Sequence, residues 1–300
     1  MDIWIPITIL AALSQTIRTA IQRQMKGRLG DYGASAIRFI YAVPFAWFWF
    51  FLVLNITNQS MPTLNLTFFI WTSVGGIAQI FFTILLVKLF SYKNFLVGVA
   101  LSKTEVIFAA LIEAIIISAA INLQFGIALI AGTVAVILLS IKGNSFAVHN
   151  ILSSIKSKAT YIGILSGSTL AVSVIAFRLA VNSLNEGDFL IRATTTAAIG
   201  VVGQSIAMTI YLSIYRKPEF TAVFNLWKPS LIAGFFAAIT TASWFSAFAL
   251  YRAAPVRAVG QVELIFSTII TIFIFRQNLN RIEIVGLLLL ILSILLVVFD

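Results

Sequence analysis

Ten stretches of this chain are too long and too apolar to pack inside a soluble domain of its size. They fall at roughly 4–21, 36–54, 66–87, 95–117, 124–141, 160–181, 189–214, 229–250, 256–275 and 282–299. A helix that crosses a bilayer needs about 20 predominantly apolar residues, because each residue rises 1.5 Å through a hydrocarbon core about 30 Å thick. Strands of a membrane barrel would run about ten residues and alternate apolar with polar; these stretches do neither. The expected fold is all-α and integral to a membrane, with ten transmembrane helices. Of 300 residues, 60% are hydrophobic and 10% charged, against roughly 25% charged in soluble domains. Ten spans use about 200 residues, which leaves short loops and no room for a separate catalytic domain.

The net charge is +10. On a soluble chain that would suggest nucleic acid, but here the basic residues flank apolar runs, the pattern that sets membrane topology. No nucleic-acid partner is expected. Thirteen Lys and Arg fall in the loops after runs 1, 3, 5, 7 and 9; Arg252 and Arg257 alone fall in the loops after runs 2, 4, 6 and 8. By the positive-inside rule the first set is cytoplasmic, so both termini are expected outside a plasma or inner membrane. The uncharged loop 55–65, with its Asn-x-Ser/Thr triplets, fits the outer side. The first run begins at residue 4 without a basic flank or a small-residue cleavage site, so it reads as a retained helix and not as a signal peptide.

Several chemistries are unsupported. There is no cysteine, hence no disulfide and no thiolate nucleophile or zinc site. The single histidine, His149, lies between runs 5 and 6, which removes a histidine-based triad or metal pair. Gly98-Val-Ala-Leu-Ser102-Lys103-Thr104 has a serine where a phosphate-binding loop needs glycine, and no strand precedes it. No enzyme activity and no cofactor are expected.

Two glutamates interrupt the apolar runs in matching surroundings: Lys103-Thr-Glu105-Val-Ile-Phe108 and Gln261-Val-Glu263-Leu-Ile-Phe266, 158 residues apart. The same offset relates Gly76 to Gly234, Thr83 to Thr241 and Phe90 to Phe248. The chain therefore reads as two five-helix repeats, 1–142 and 158–300, joined by a polar linker, 143–157. An odd number of helices per repeat inverts the second relative to the first, and such folds place the substrate near the midplane between repeats.

Ionisable groups at membrane depth are costly and usually mark a substrate or ion path. Glu105 and Glu263 are accordingly the first candidates for binding an amine or coupling to a proton; the alternative is a carboxylate that ties neighbouring helices together. Lys103 and Gln261 occupy the matching position two residues earlier. Two residues turn a helix by about 200°, so Lys103 does not face Glu105. It either meets a carboxylate of a substrate or another helix, or snorkels along the bundle. Gln15, Gln79 and Trp244 lie mid-run and could offer hydrogen bonds and an aromatic wall to a small ligand. Arg18, Arg178, Arg38 and Arg192 sit near run ends, where interface anchoring competes with a binding role. Arg252 and Arg257 read as loop charges, and Glu113 as structural.

These features together resemble the drug/metabolite transporter superfamily, EamA-type. The resemblance covers nearly the whole chain and rests on ten runs in two halves, a Glu in the fourth run of each half followed by Val-Ile-Phe108 or Leu-Ile-Phe266, the turn before Pro255-Val256, and Arg38 and Arg192 early in the second run of each half. The family pattern has proline after the glutamate; Val106 and Leu264 stand there, which argues against a kink. Ala119 and Gln277 replace a later pair of glutamates. The resemblance implies a substrate cavity between helices 1, 3, 4 and 6, 8, 9.

The expected function is secondary transport, in the export direction, of a small polar metabolite such as an amino acid or organic anion, with a proton as candidate coupling ion. The rival readings are a non-transporting membrane scaffold or lipid-handling subunit, and an intramembrane enzyme, for which the catalytic groups are lacking. Two repeats in one chain suffice for a monomer; a homodimer is equally compatible.

Overall fold

The computed structural model describes residues 2–117, 123–140, 157–251 and 253–298. The linker up to residue 156 with His149, and Ala119 and Arg252, lie outside the described residues, as does the side chain of Glu113. The described residues are mostly helical, with no strand among them. Among the described residues thirteen α-helices follow one another: α1 (Trp4–Ile40), α2 (Val43–Thr57), α3 (Leu66–Leu89), α4 (Phe95–Ser102), α5 (Glu105–Ile117), α6 (Leu123–Ser140), α7 (Lys158–Ser183), α8 (Phe189–Tyr215), α9 (Lys217–Asn225), α10 (Trp227–Leu250), α11 (Ala253–Val259), α12 (Val262–Ile269) and α13 (Arg281–Val298). Among the described residues, five helical segments are long and apolar enough to cross a membrane.

Local chemistry explains the starts. Asn65, Asn94, Ser157 and Asp188 each sit at an N-cap in extended conformation and accept a backbone N–H from the first turn of α3, α4, α7 and α8. Such caps satisfy donors that a helix start leaves idle. Inside the helices, Thr16, Thr19, Thr83, Thr240 and Thr271 return their hydroxyl protons to the carbonyl four residues back, so these polar groups need no water.

The structure departs from the expected runs in four places. The first loop is absent, because α1 continues through Gln22–Leu29, where every residue except Gly27 is a good helix former. It bends only at Gly30, whose φ of 72° belongs to the left-handed region that glycine enters freely. The expected run 36–54 is instead split at Tyr41-Ala42, ahead of Pro44. A short amphipathic helix, α9, occupies what was read as the loop before residue 229; Pro218 lies in its first turn, and Glu219 accepts the Gly33 N–H at 2.7 Å. Runs 4 and 9 are each broken in the middle, which bears directly on the site.

The closest helix pairings are α3 with α7, α1 with α10, and α6 with α13. The main core lies between them, around Phe82, Phe95, Leu101, Phe177, Trp244 and Phe245. The outward faces are apolar as well: Phe48, Leu66, Ile77, Ile206 and Phe273 are all more than half exposed. At one end of the bundle Gln59 donates to Asp188 and Asn65 to the Ser183 carbonyl, closing the loops after α2 and α7 onto each other. At the other, Lys26 pairs with Asp31 and bonds Ser91, while Asn94 donates to Glu283.

Candidate functional site

Helices α4 and α5 meet at Lys103-Thr104, and α11 and α12 meet at Gly260-Gln261. With the offset of 158, Lys103 corresponds to Gln261, so the two breaks coincide to within one residue. No proline is involved, and the expectation of unbroken helices at Val106 and Leu264 is corrected. The chain tightens instead into i→i−3 bonds: Val106 N–H to Lys103 C=O at 3.2 Å and Leu264 N–H to Gln261 C=O at 2.9 Å. In the first break the hydroxyls of Ser102 and Thr104 take up the carbonyls of Val99 and Leu101, the competition that weakens helices at Ser and Thr. In the second, Gly260 supplies the weak point and the Gln261 amide donates to the Arg257 carbonyl at 2.8 Å. Gly167 of α7 lies against Thr104 and Glu105 with no space for a side chain, which lets α7 press on the first break.

Each broken helix presents a carboxylate to a cation from the other. Lys103 forms a buried ion pair with Glu263, and Arg257 forms one with Glu105. Neither pair is formed within its own broken helix. Gln15 of α1 donates to Glu263 at 2.6 Å, and the Trp244 indole donates to Gln15 at 2.9 Å. The Arg257 guanidinium lies over the Trp244 ring at 4.4 Å, an attraction worth about 2 kcal/mol when desolvated. Glu105, Arg257, Trp244, Gln15, Glu263 and Lys103 thus form one continuous network drawn from α1, α10 and both breaks. Removing one partner of a buried pair costs about 3–5 kcal/mol, since the other charge is left stranded.

Above this network is a cavity of about 30 Å³ lined by Gln15, Arg38, Gln79, Trp244, Arg257 and aromatic neighbours including Phe177. That is space for a water or two and not for a metabolite, whose pockets run to hundreds of Å³. Gln79 accepts from Gln204 of α8 at 2.9 Å.

Of the candidate residues, Glu105, Glu263, Lys103, Gln15 and Trp244 are therefore brought together, and Gln79 lines the same cavity. Gln261 is buried at the second break, off the cavity wall. Arg178 is half-buried on α7, also away from the wall. Anchoring is the wrong reading for two arginines. Arg18 is 1% exposed and Arg38 4%, because α1 continues past both. Arg18 donates to Thr19 at 3.3 Å and Arg38 to Thr83 at 3.0 Å. The loop reading of Arg257 is likewise overturned by its 3% exposure: α11 starts at Ala253 and carries it inward. Gln204 was missed, although an amide in the middle of run 7 carries the same signal as Gln79.

A second cluster closes one end of the bundle. The five residues Ile270–Ile274 form a π-turn, after which Arg23 sits over Phe275 at 4.1 Å and donates to Gln277 at 2.8 Å. Gln277 in turn accepts the Phe95 N–H at the start of α4.

No protein-family model matches this chain, and neither does any curated protein. Among solved structures, one described only as "Crystal structure of protein" superimposes with a TM-score of 0.60 over 98% of this chain and 96% of that one, at 11% sequence identity. The whole helical arrangement is thus one that another chain also adopts.

Proposed function

We propose that the chain is an integral membrane transporter of the drug/metabolite type, which exports a small polar metabolite by alternating access between two inverted five-helix repeats. The observation that carries this reading is the pair of broken helices, 158 residues apart, whose buried charges are exchanged between them beside a small cavity that Gln15 and Arg257 of the same network line. Broken helices at matching positions of two halves are the backbone signature of transporter sites, because irregular backbone at membrane depth is tolerated where it is buried or lines a cavity. The helix pairings add support. Counting expected helices, α3 with α7 is third with sixth and α1 with α10 is first with eighth, two pairs that exchange under the repeat operation; fifth with tenth maps onto itself. The apolar outer faces fit lipid. In this reading the cavity is the substrate site between its two accessible states, and rocking of the halves opens it to one side at a time.

The test is counterflow of labelled solutes in liposomes containing the purified protein. Glu263→Gln is expected to slow exchange and flatten its pH dependence; unchanged flux and pH profile would remove Glu263 from coupling. The lipid-handling alternative draws on two apolar lateral grooves of about 340 and 380 Å³, which flank α8 and are lined by residues such as Trp49 and Leu190, and Phe69 and Ile206. It predicts lipid transfer between vesicles with no solute flux.

A further inference from the structure

Six ionisable side chains are buried among the described residues: Arg18, Arg38, Lys103 and Arg257 against Glu105 and Glu263. The two ion pairs account for Lys103, Arg257 and both carboxylates. What is left over is two guanidiniums. Neither Arg18 nor Arg38 has a carboxylate at ion-pair distance among the described residues. Nε and Nη1 of Arg18 and Nε of Arg38 are buried without an acceptor. Arginine does not escape this by losing its proton, and an uncompensated buried charge is costly to keep.

Arg38 stands on the cavity wall and Arg18 adjoins it from behind, off the wall. Arg18 stands three residues beyond Gln15 on α1, hence on the same helix face, and Gln15 also lines the cavity. The guanidinium fork presents paired donors that match carboxylate and phosphate oxygens. A solute ammonium, by contrast, would find both carboxylates already taken by Lys103 and Arg257. The remaining walls, Phe82, Phe177, Trp244 and Phe245 with the amide of Gln79, suit a short carbon body.

We propose that the site takes a small organic solute bearing two negative charges, a dicarboxylate or a phosphomonoester, held by Arg38 and Arg18. The proposal rests on the transporter reading and narrows its substrate class. With such a solute the buried charges sum to zero, two unpaired cations against two anionic groups. The solute enters when the cavity opens, and its oxyanions take the idle N–H donors.

The experiment is exchange in liposomes of the full-length protein, preloaded and challenged at matched ionic strength with succinate, glycerol 3-phosphate, inorganic phosphate, acetate or alanine. Expected is competition by succinate or glycerol 3-phosphate at concentrations at least tenfold below acetate and alanine; which of the two wins separates carboxylate from phosphate. Arg38→Gln is expected to weaken that competition by about 30-fold or more, as loss of one member of a buried hydrogen-bonded charge pair does. The variant should melt no lower than wild type without solute, since it removes an unpaired charge. If it fails to fold, the wild-type ranking decides by itself. Exchange of alanine that neither dianion inhibits would overturn the charge assignment and leave transport standing. Inorganic phosphate competing as well as glycerol 3-phosphate would overturn the organic part. Absence of exchange across the whole panel would overturn transport, and this proposal with it.

Discussion

The broken helices α4–α5 and α11–α12 share a carboxylate but not a cation. Glu105 and Glu263 each stand in the first turn after the break. The first helix carries its cation in the break, at Lys103. The second has Gln261 there and places Arg257 inside α11, at a position matched by Val99 in the first. Even so, each carboxylate is neutralised from the opposite side. What repeats is the break and the acid; the base is free to move along the chain provided it crosses between the helices. Cross-neutralisation holds the two broken helices against each other, and in the proposed transport cycle any opening has to part or carry both pairs.

The largest effect is expected where this asymmetry is greatest. Lys103→Met strands Glu263 and should cost about 3–5 kcal/mol, whereas Gln261→Met at the matching position removes one neutral hydrogen bond and should cost about 1 kcal/mol. Equal losses in thermal melts of the purified protein would erase the distinction between the two breaks. Next comes the reciprocal pair. Arg257→Met should be severe alone and milder when combined with Glu105→Gln, with a coupling energy of about 2 kcal/mol in the double-mutant cycle. Strict additivity would mean that Arg257 acts through its contact with Trp244 and not through Glu105. The smallest effect is proline. Val106→Pro and Leu264→Pro each forfeit one i→i−3 bond next to a break that already exists, so each should cost about 1 kcal/mol. A loss above about 3 kcal/mol at only one of them, the cost of proline inside an intact helix, would show that the two backbones are not equivalent.

Much of the helical layout was legible in the apolar runs, because hydrophobic length is what separates a buried helix from a loop. The breaks were not, since tightening from i→i−4 to i→i−3 leaves the apolar pattern unchanged and the expected proline was missing. Helix α9 escaped because it is short and amphipathic, burying Val223 on one face, and is held by tertiary contacts such as Glu219 with Gly33. Gln15, Gln79 and Trp244 stand out on the rule that polar groups deep in apolar runs need partners, and in the fold each has one. Arg18, Arg38 and Arg257 were misplaced for a related reason. Position near the end of a run says how far a side chain stands from the interface only if the helix stops there. Here α1 runs on to Ile40 and α11 begins early.

The two unpaired guanidiniums have one more consequence. A carrier that returns empty takes its uncompensated charges with it, and a charge crossing a full membrane potential is worth about 2.3 kcal/mol per 100 mV. Under the proposed transport of a dianion, Arg18 and Arg38 would then act as voltage sensors of the empty protein. An inside-negative potential would hold the unloaded site toward the cytoplasm, and binding two negative charges there would release it.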